Sequence, residues 1–165
     1  MNIEVKRLAI EEKSILRNLL ELYQYDFSEF ESEDLDEHGL FGYKYLDHYW
    51  TEDSRYPFIV KVDGKLAGFS LVRDLISPGN TITHSMAEFF IMRKYRKQGI
   101  GKAVAHKVFD ILPGNWRVSQ VEKNFPAQNF WRKVISEYTN GNYHEIYQND
   151  EDWIGPVKTF NSNGI

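Results

Sequence analysis

The segment of this 165-residue chain best suited to chemistry is Gly99-Ile100-Gly101. Placed where a strand gives way to a helix, it suits an anion. The first N–H groups of a helix lack partners, the helix dipole adds positive potential, and glycine has no Cβ to keep a pyrophosphate away. Arg93, Lys94, Arg96, Lys97, Lys102 and Lys107 put six cations and no acid between positions 93 and 107 of a chain with net charge −4. Two phosphate loops are excluded by the residues present. A dinucleotide fingerprint wants a third small residue where Val104 stands. A Walker loop wants glycine at Arg96 and a hydroxyl at Ala103. Opposite in sign, Asp26, Glu29, Glu31, Glu33, Asp34, Asp36 and Glu37 are seven acids in twelve positions with no base among them. They form either a solvated loop or a mouth whose field attracts a cation. Glu88, in Ala87-Glu88-Phe89-Phe90, is a carboxylate inside an apolar strand and needs a reason to be there. General-base work, contact with a substrate or a structural ion pair would each supply one.

Other chemistries have less to stand on. There are no cysteines, which removes disulfides, thiolate metal sites and a Cys nucleophile. His38, His48, His84, His106 and His144 have no metal-ligand spacing, so no metal site is expected. Ser85 and Ser119 have no neighbouring base to activate them. The basic segment has no second basic patch interleaved with aromatics, which argues against a nucleic-acid partner. No stretch approaches the roughly twenty apolar residues that cross a bilayer. Residues 1–7 lack the apolar core of a secretory signal. A cytoplasmic protein without a membrane partner is expected.

These residues must be positioned by elements that periodicity defines. Alternation gives a short strand from Ile3, and Ile15, Leu16, Leu19, Leu20, Leu22 and Tyr23 give an amphipathic helix over 11–25. A short helix is expected over 43–50. Phe58–Val62 and Lys65–Val72 flank Asp63-Gly64, the signal for a hairpin with a type I′ turn. Residues 81–92 read as the next strand, followed by a helix with Ile100, Val104, Val108, Ile111 and Leu112 on one side, ended by Pro113-Gly114. A strand over 116–121 and a helix over 126–138 follow, with Asn124 as a cap and Asn140-Gly141 as a stop. The last strands are 143–147 and 153–160, and Gly155-Pro156 argues for an edge or irregular position in the second. The chain is thus read as one α/β domain over 1–165. Its sheet is mixed and mostly antiparallel, with one helical crossover between neighbouring parallel strands. With 42% hydrophobic and 15% aromatic residues it can fill such a core and is not read as disordered.

Arg96-x-x-Gly99-x-Gly101 after a strand, together with Asn124-x-x-Ala127-x-x-Phe130-Trp131-x-Lys133 on the next helix, resembles the GCN5-related N-acetyltransferase (GNAT) superfamily. The resemblance implies a splayed parallel strand pair, acetyl-CoA as co-substrate without a metal, and acetyl transfer to the amine of a small acceptor. It implies that the loop from Arg96 through Lys97, Gln98, Gly99, Ile100, Gly101 and Lys102 holds the CoA pyrophosphate through backbone amides. Phe90 and Ile91, with Met92 beside them, would lend main-chain hydrogen bonds to the pantetheine arm, and Asn124 would reach that arm from the far strand. Glu88 is the candidate base. The missing cysteines imply direct transfer rather than an acyl-cysteine route. The sequence also departs from the family: Trp131 stands where many members place a tyrosine as general acid, and an indole cannot supply that proton. Tyr138 and Tyr143 are alternatives that nothing in their spacing recommends. The departure motivates a second reading, a CoA-binding sensor or interaction module without turnover. A homodimer is compatible with either.

Overall fold

The computed structural model describes residues 1–164. Strand β1 (Ile3–Arg7) leads through a 3-10 turn at Ile10–Glu12 into helix α1 (Lys13–Phe27). Leu16, Leu19 and Leu20 are its buried residues, spaced to form one inward stripe. Helix α2 (His48–Thr51) and strands β2 (Arg55–Val62), β3 (Lys65–Ser77) and β4 (Thr81–Ile91) follow. The β2–β3 hairpin turns on Asp63 and Gly64, both with positive φ (48° and 78°), as a type I′ turn demands. Next come α3 (Ile100–Ile111), β5 (Asn115–Ser119), α4 (Phe125–Thr139), β6 (His144–Asn149) and β7 (Ile154–Asn161). Among the described residues no helix is long and apolar enough to cross a membrane.

The seven strands form one sheet in the order β1-β2-β3-β4-β5-β7-β6, antiparallel throughout except for β4 and β5. Helix α3 makes the crossover between that parallel pair. The sheet separates two apolar clusters. On one face Val104, Val108 and Phe109 of α3 and Trp131, Val134 and Ile135 of α4 pack on Val60, Val72, Trp116 and Val118. On the other, Leu16, Leu19 and Leu20 of α1 and Tyr49 of α2 pack on Ile59, Phe69, Leu71 and Phe90.

Two expectations need correction. Of the edge and irregular alternatives for the last strand, the edge one fails, since β7 lies between β5 and β6, while Gly155 within it has φ 144°. Pro156 is tolerated there because its carbonyl accepts from the Gln120 N–H just beyond the end of β5. In a strand, N–H and C=O of one residue point the same way, so the donor that proline lacks also faces Gln120, past the last β5–β7 ladder pair at Ser119 and Val157, and takes nothing from the pairing with β6. The helix expected over 43–50 is cut to four residues. Leu46, His48 and Tyr49 donate to carbonyls three residues back, those of Tyr43, Tyr45 and Leu46, and Thr51 is the first to reach four back, to Asp47.

Candidate active site

The parallel strands β4 and β5 pair only over Thr83–Ser85 and Asn115–Arg117. Beyond that point β5 keeps its pairing with β7 to Ser119, while β4 stays on β3 to Ile91. The two therefore part, leaving one side of β4 without ladder partners. Met92 donates its N–H to Ala67 O on the β3 side at 2.8 Å. Backbone groups alternate sides along a strand, so Phe90 and Met92 turn theirs to β3, and Ile91 turns its own to the gap. Of the three strand residues expected to offer main chain to a ligand, Ile91 alone is placed to do so. Phe90 contributes its ring to the α1-side cluster.

The glycine segment lies at the open end of the gap. Gly99 is the N-cap of α3 with φ 78°, a left-handed conformation, and Lys97 also has positive φ (60°). The cap carbonyl of Gly99 accepts from Ala103. Among the described residues nothing accepts from the amides of Lys97 through Lys102. Those six donors around two left-handed residues form a cradle for an anion. Gly101 has a second constraint: a Cβ there would sit 3.1 Å from the Phe130 ring. Its lack of a side chain is what lets α3 approach α4 here.

The basic side chains of the segment are less available than their number suggests. Arg96 donates through Nε to Ile91 O at 2.7 Å and through Nη2 to Asp26 Oδ2 at 2.5 Å. Arg93 donates through Nη2 and Nε to Asp26 Oδ1 at 2.7 and 3.1 Å. Burial works against the Asp26 carboxylate, but the two guanidiniums outweigh it and hold its pKa below the ordinary range. Lys102 pairs with Glu137 at 3.0 Å, and Lys107 reaches Ile3 O at 3.0 Å, away from the loop. What the loop presents to a ligand is main chain, with Lys94 and Lys97 as flanking cations.

Glu88 points to the α1 face of the sheet. Its direction is set by a β-bulge: Glu88 pairs with Leu71 and Met86 with Val72, so Ala87 is an extra residue. In an unbulged strand Met86 and Glu88, two residues apart, would share a face; because Ala87 bulges out of the ladder, Met86 joins the α3 and α4 cluster and Glu88 stands beside Leu71 on the other side. Glu88 opens into a cavity of about 360 Å³ lined also by Tyr23, Phe27, Tyr43, Glu31 and Glu33. Burial raises its pKa from 4.5 to about 7; the hydroxyls of Tyr23 and Tyr43 pull it back, while the charges of Glu31 and Glu33 push it further up. Tyr43 Oη lies 3.4 Å from Glu88 Oε1. Burial, with the nearby carboxylate, keeps both tyrosines protonated well past their ordinary range.

The acidic stretch divides into separate roles. Asp26 holds the arginines, Asp36 caps its own turn by accepting from His38 and Leu40, and only Glu31 and Glu33 line the cavity. Glu21 on α1 was not singled out in the sequence, yet its carboxylate accepts from the Phe41 and Gly42 amides at 2.8 and 2.9 Å and so fastens the cavity wall. Tyr23 and Tyr43 were also missed. Tyr23 carries only the signal of an inward helical position, and Tyr43 lies on a loop with no periodicity to place it.

Asn124 is 8% exposed, and its Oδ1 caps α4 by accepting from the Ala127 N–H at 3.1 Å. The cap reading is therefore realised, and only Nδ2 remains for a ligand. Trp131 is 6% exposed and packs edge-on against Phe89 and Phe130. It is core. Tyr138 donates to Asp110 at 2.7 Å, and Tyr143 packs beside the α3 and α4 cluster, so neither joins Glu88.

A sequence model of the acetyltransferase (GNAT) family matches residues 16–135. Among curated proteins none matches the chain. Similar solved structures share its fold at low identity. A GNAT-family acetyltransferase from Staphylococcus aureus is 15% identical with a TM-score of 0.66, covering 98% of this chain and 99% of its own. The PaiA N-acetyltransferase of Thermoplasma acidophilum, in complex with coenzyme A, is 13% identical with a TM-score of 0.65 and the same coverage. An aminoglycoside acetyltransferase from an uncultured soil metagenomic sample, in complex with sisomicin, is 17% identical with a TM-score of 0.61, covering 80% of this chain and 86% of its own.

Proposed function

The chain belongs to the acetyltransferase (GNAT) family, and we propose that it moves an acetyl group directly from acetyl-CoA to the amine of a small cationic acceptor in the cytoplasm. The observation that carries this reading is the arrangement around β4. Unpartnered amides close one end of the β4–β5 gap, and a carboxylate with a pKa near 7 opens onto the α1 face of the same strand.

In this reading the amides of 97–102 hold the pyrophosphate, with Lys97 and Lys94 nearby. The Ile91 backbone and Asn124 Nδ2 flank the pantetheine arm. When bound, the thioester supplies an activated acyl carbon. The remaining work is to bring an amine to it and remove a proton. Fixing both reactants on one strand removes much of the entropic barrier. An ammonium has a pKa of about 10, and Glu88, ionised above pH 7 and facing the acceptor cavity, can take its proton. Glu31 and Glu33 favour a cation in that cavity, so the acceptor KM should rise with salt. A second reading, a CoA-binding module without turnover, is favoured by Trp131 in the core and Tyr138 on Asp110, which leave α4 no tyrosine hydroxyl for the gap. Thiol release from acetyl-CoA against polyamines, aminoglycosides, amino acids and peptides separates the two. Release with a cationic amine is expected. Tight acetyl-CoA binding with no release across the panel would favour the second reading.

A further inference from the structure

The stretch of cavity wall between Ser28 and Leu40 is tied to the rest of the molecule by polar contacts at its ends alone. Inside it, Phe30 and Glu31 donate to Phe27 O, and Asp36 gathers the amides of His38 and Leu40. Among the described residues no hydrogen bond or ion pair carries this stretch further than Tyr25 and Phe27. At its far end Glu21 accepts from the Phe41 and Gly42 amides. At its near end the anchor is Asp26, one residue before the last of α1. That carboxylate turns away from the cavity, which its neighbours Tyr23, Gln24 and Phe27 line. Its Oδ1 accepts from Arg93 Nε and Nη2, its Oδ2 from Arg96 Nη2, and Arg96 Nε in turn donates to Ile91 O. The Asp26 side chain is 24% exposed and that of Arg96 37%, so the inner pair is partly sheltered from screening. The guanidiniums also stand at the C-terminal end of α1, where the helix dipole favours cations. One of the two anchors of the acceptor wall is therefore made by the segment that forms the anion cradle.

We propose that Asp26 is a positioning residue that couples the two sites. A ligand phosphate held on the amides of 97–102 steadies Arg93 and Arg96, and through Asp26 it steadies the last turn of α1 and the wall that follows. This rests on the acetyltransferase reading of the cradle and adds to it a dependence of the acceptor cavity on cofactor occupancy. The element with two arrangements is the clasp: closed, with Asp26 on both arginines, or open, with the end of α1 frayed. Cofactor in the cradle favours the closed clasp, and so does an acceptor that fits the wall. By linkage each ligand then tightens the binding of the other by the same factor. Ordering alone is enough for this, without a large displacement.

Hydrogen exchange of the intact protein, with and without saturating coenzyme A, tests the coupling. Coenzyme A is expected to slow exchange at 97–102. In the native protein the slowing should extend to the amides of 26–31 by about fivefold or more, the lower end of coupling between sites. In Asp26→Ala the loop should still be protected, while the effect at 26–31 should vanish. Asp26→Glu, which keeps the carboxylate, should restore it. The Arg93→Gln/Arg96→Gln double variant opens the clasp from the other side and should lose the effect in the same way, so the test does not depend on one variant folding. A merely structural role for Asp26 would speed exchange at 26–31 in the free protein but leave the factor gained on adding coenzyme A unchanged. Native protein protected at 97–102 and not at 26–31, or variants that keep the full effect, would overturn the proposal while the acetyltransferase reading survives. No protection at 97–102 in the native protein overturns both.

Discussion

In the proposed reading, two parts of the cleft meet their ligands with different parts of the chain. On the α3 side it is main chain: six amides around left-handed Lys97 and Gly99, with the arginines turned inward onto Asp26. On the α1 side it is side chains: Glu88, Gln24, Glu31, Glu33 and a set of aromatic rings. A backbone cradle depends on conformation and tolerates many side chains around it. A side-chain cavity depends on identities and can be rewritten without altering the fold.

That contrast can be broken most sharply on the α3 side. Gly101→Glu is expected to weaken acetyl-CoA binding by about a hundredfold or more in calorimetry, since it puts a carboxylate among the amides and a Cβ against Phe130. Tight binding by a folded variant would remove the cradle. On the α1 side, Glu88→Gln should lower kcat/KM by about 10²-fold or more and abolish its rise near pH 7, leaving acetyl-CoA affinity intact. The same carboxylate has a signature in stability. Its folded pKa is raised from 4.5 to about 7, so the folded state binds the extra proton, and stability should fall as pH rises from 4.5 to 7. Melting curves of Glu88→Gln should be flat over that window. Activity and stability thus run in opposite directions with pH at this residue.

A smaller effect tests the link between the sides. Asp26 is an acid whose pKa is depressed, so its contribution is present above the ordinary carboxylate range and is lost as pH falls through the folded value. Asp26→Asn should cost about 1 kcal/mol by denaturant titration at neutral pH, as expected of a partly exposed pair, and progressively less as the pH is lowered below the ordinary carboxylate range. Smallest of all, Tyr43→Phe should move the acid limb of the kcat/KM profile upward by a fraction of a pH unit, because the lost hydroxyl favours the ionised form of Glu88.

The same contrast governs what could be read from the chain. The glycine loop and the Asn124 motif were legible because a strand-to-helix turn with unpartnered amides restricts residue types at fixed spacing. The hairpin at Asp63-Gly64 was legible for the same reason. The acceptor cavity was not. Tyr43 reaches it from a loop, Glu21 and Gln24 of α1 act through backbone groups of residues 41 and 42, contacts that no periodicity reveals, and seven acids in twelve positions gave no sign that only two line the cavity. The placement of β7 escaped because Pro156 looks like an edge residue until Gln120 is seen at the end of β5. The abundance of cations at 93–107 overstated the field there, since Asp26 lies sixty-seven residues before Arg93 and enters from another helix.

Ala87, the unpaired residue in β4, acts as a parity switch. Every residue after it owes its side of the sheet to that one insertion, and every residue before it does not. Were Ala87 drawn into the ladder and the rest of β4 slipped by one, Glu88 would turn toward the α3 and α4 cluster, Phe90 and Ile91 would exchange faces, and the backbone of Phe90 rather than that of Ile91 would turn to the gap. Acceptor side and cofactor side would fail together, although no residue touching either ligand had been replaced. An alignment that slid by one position here would misassign both sides in a single step.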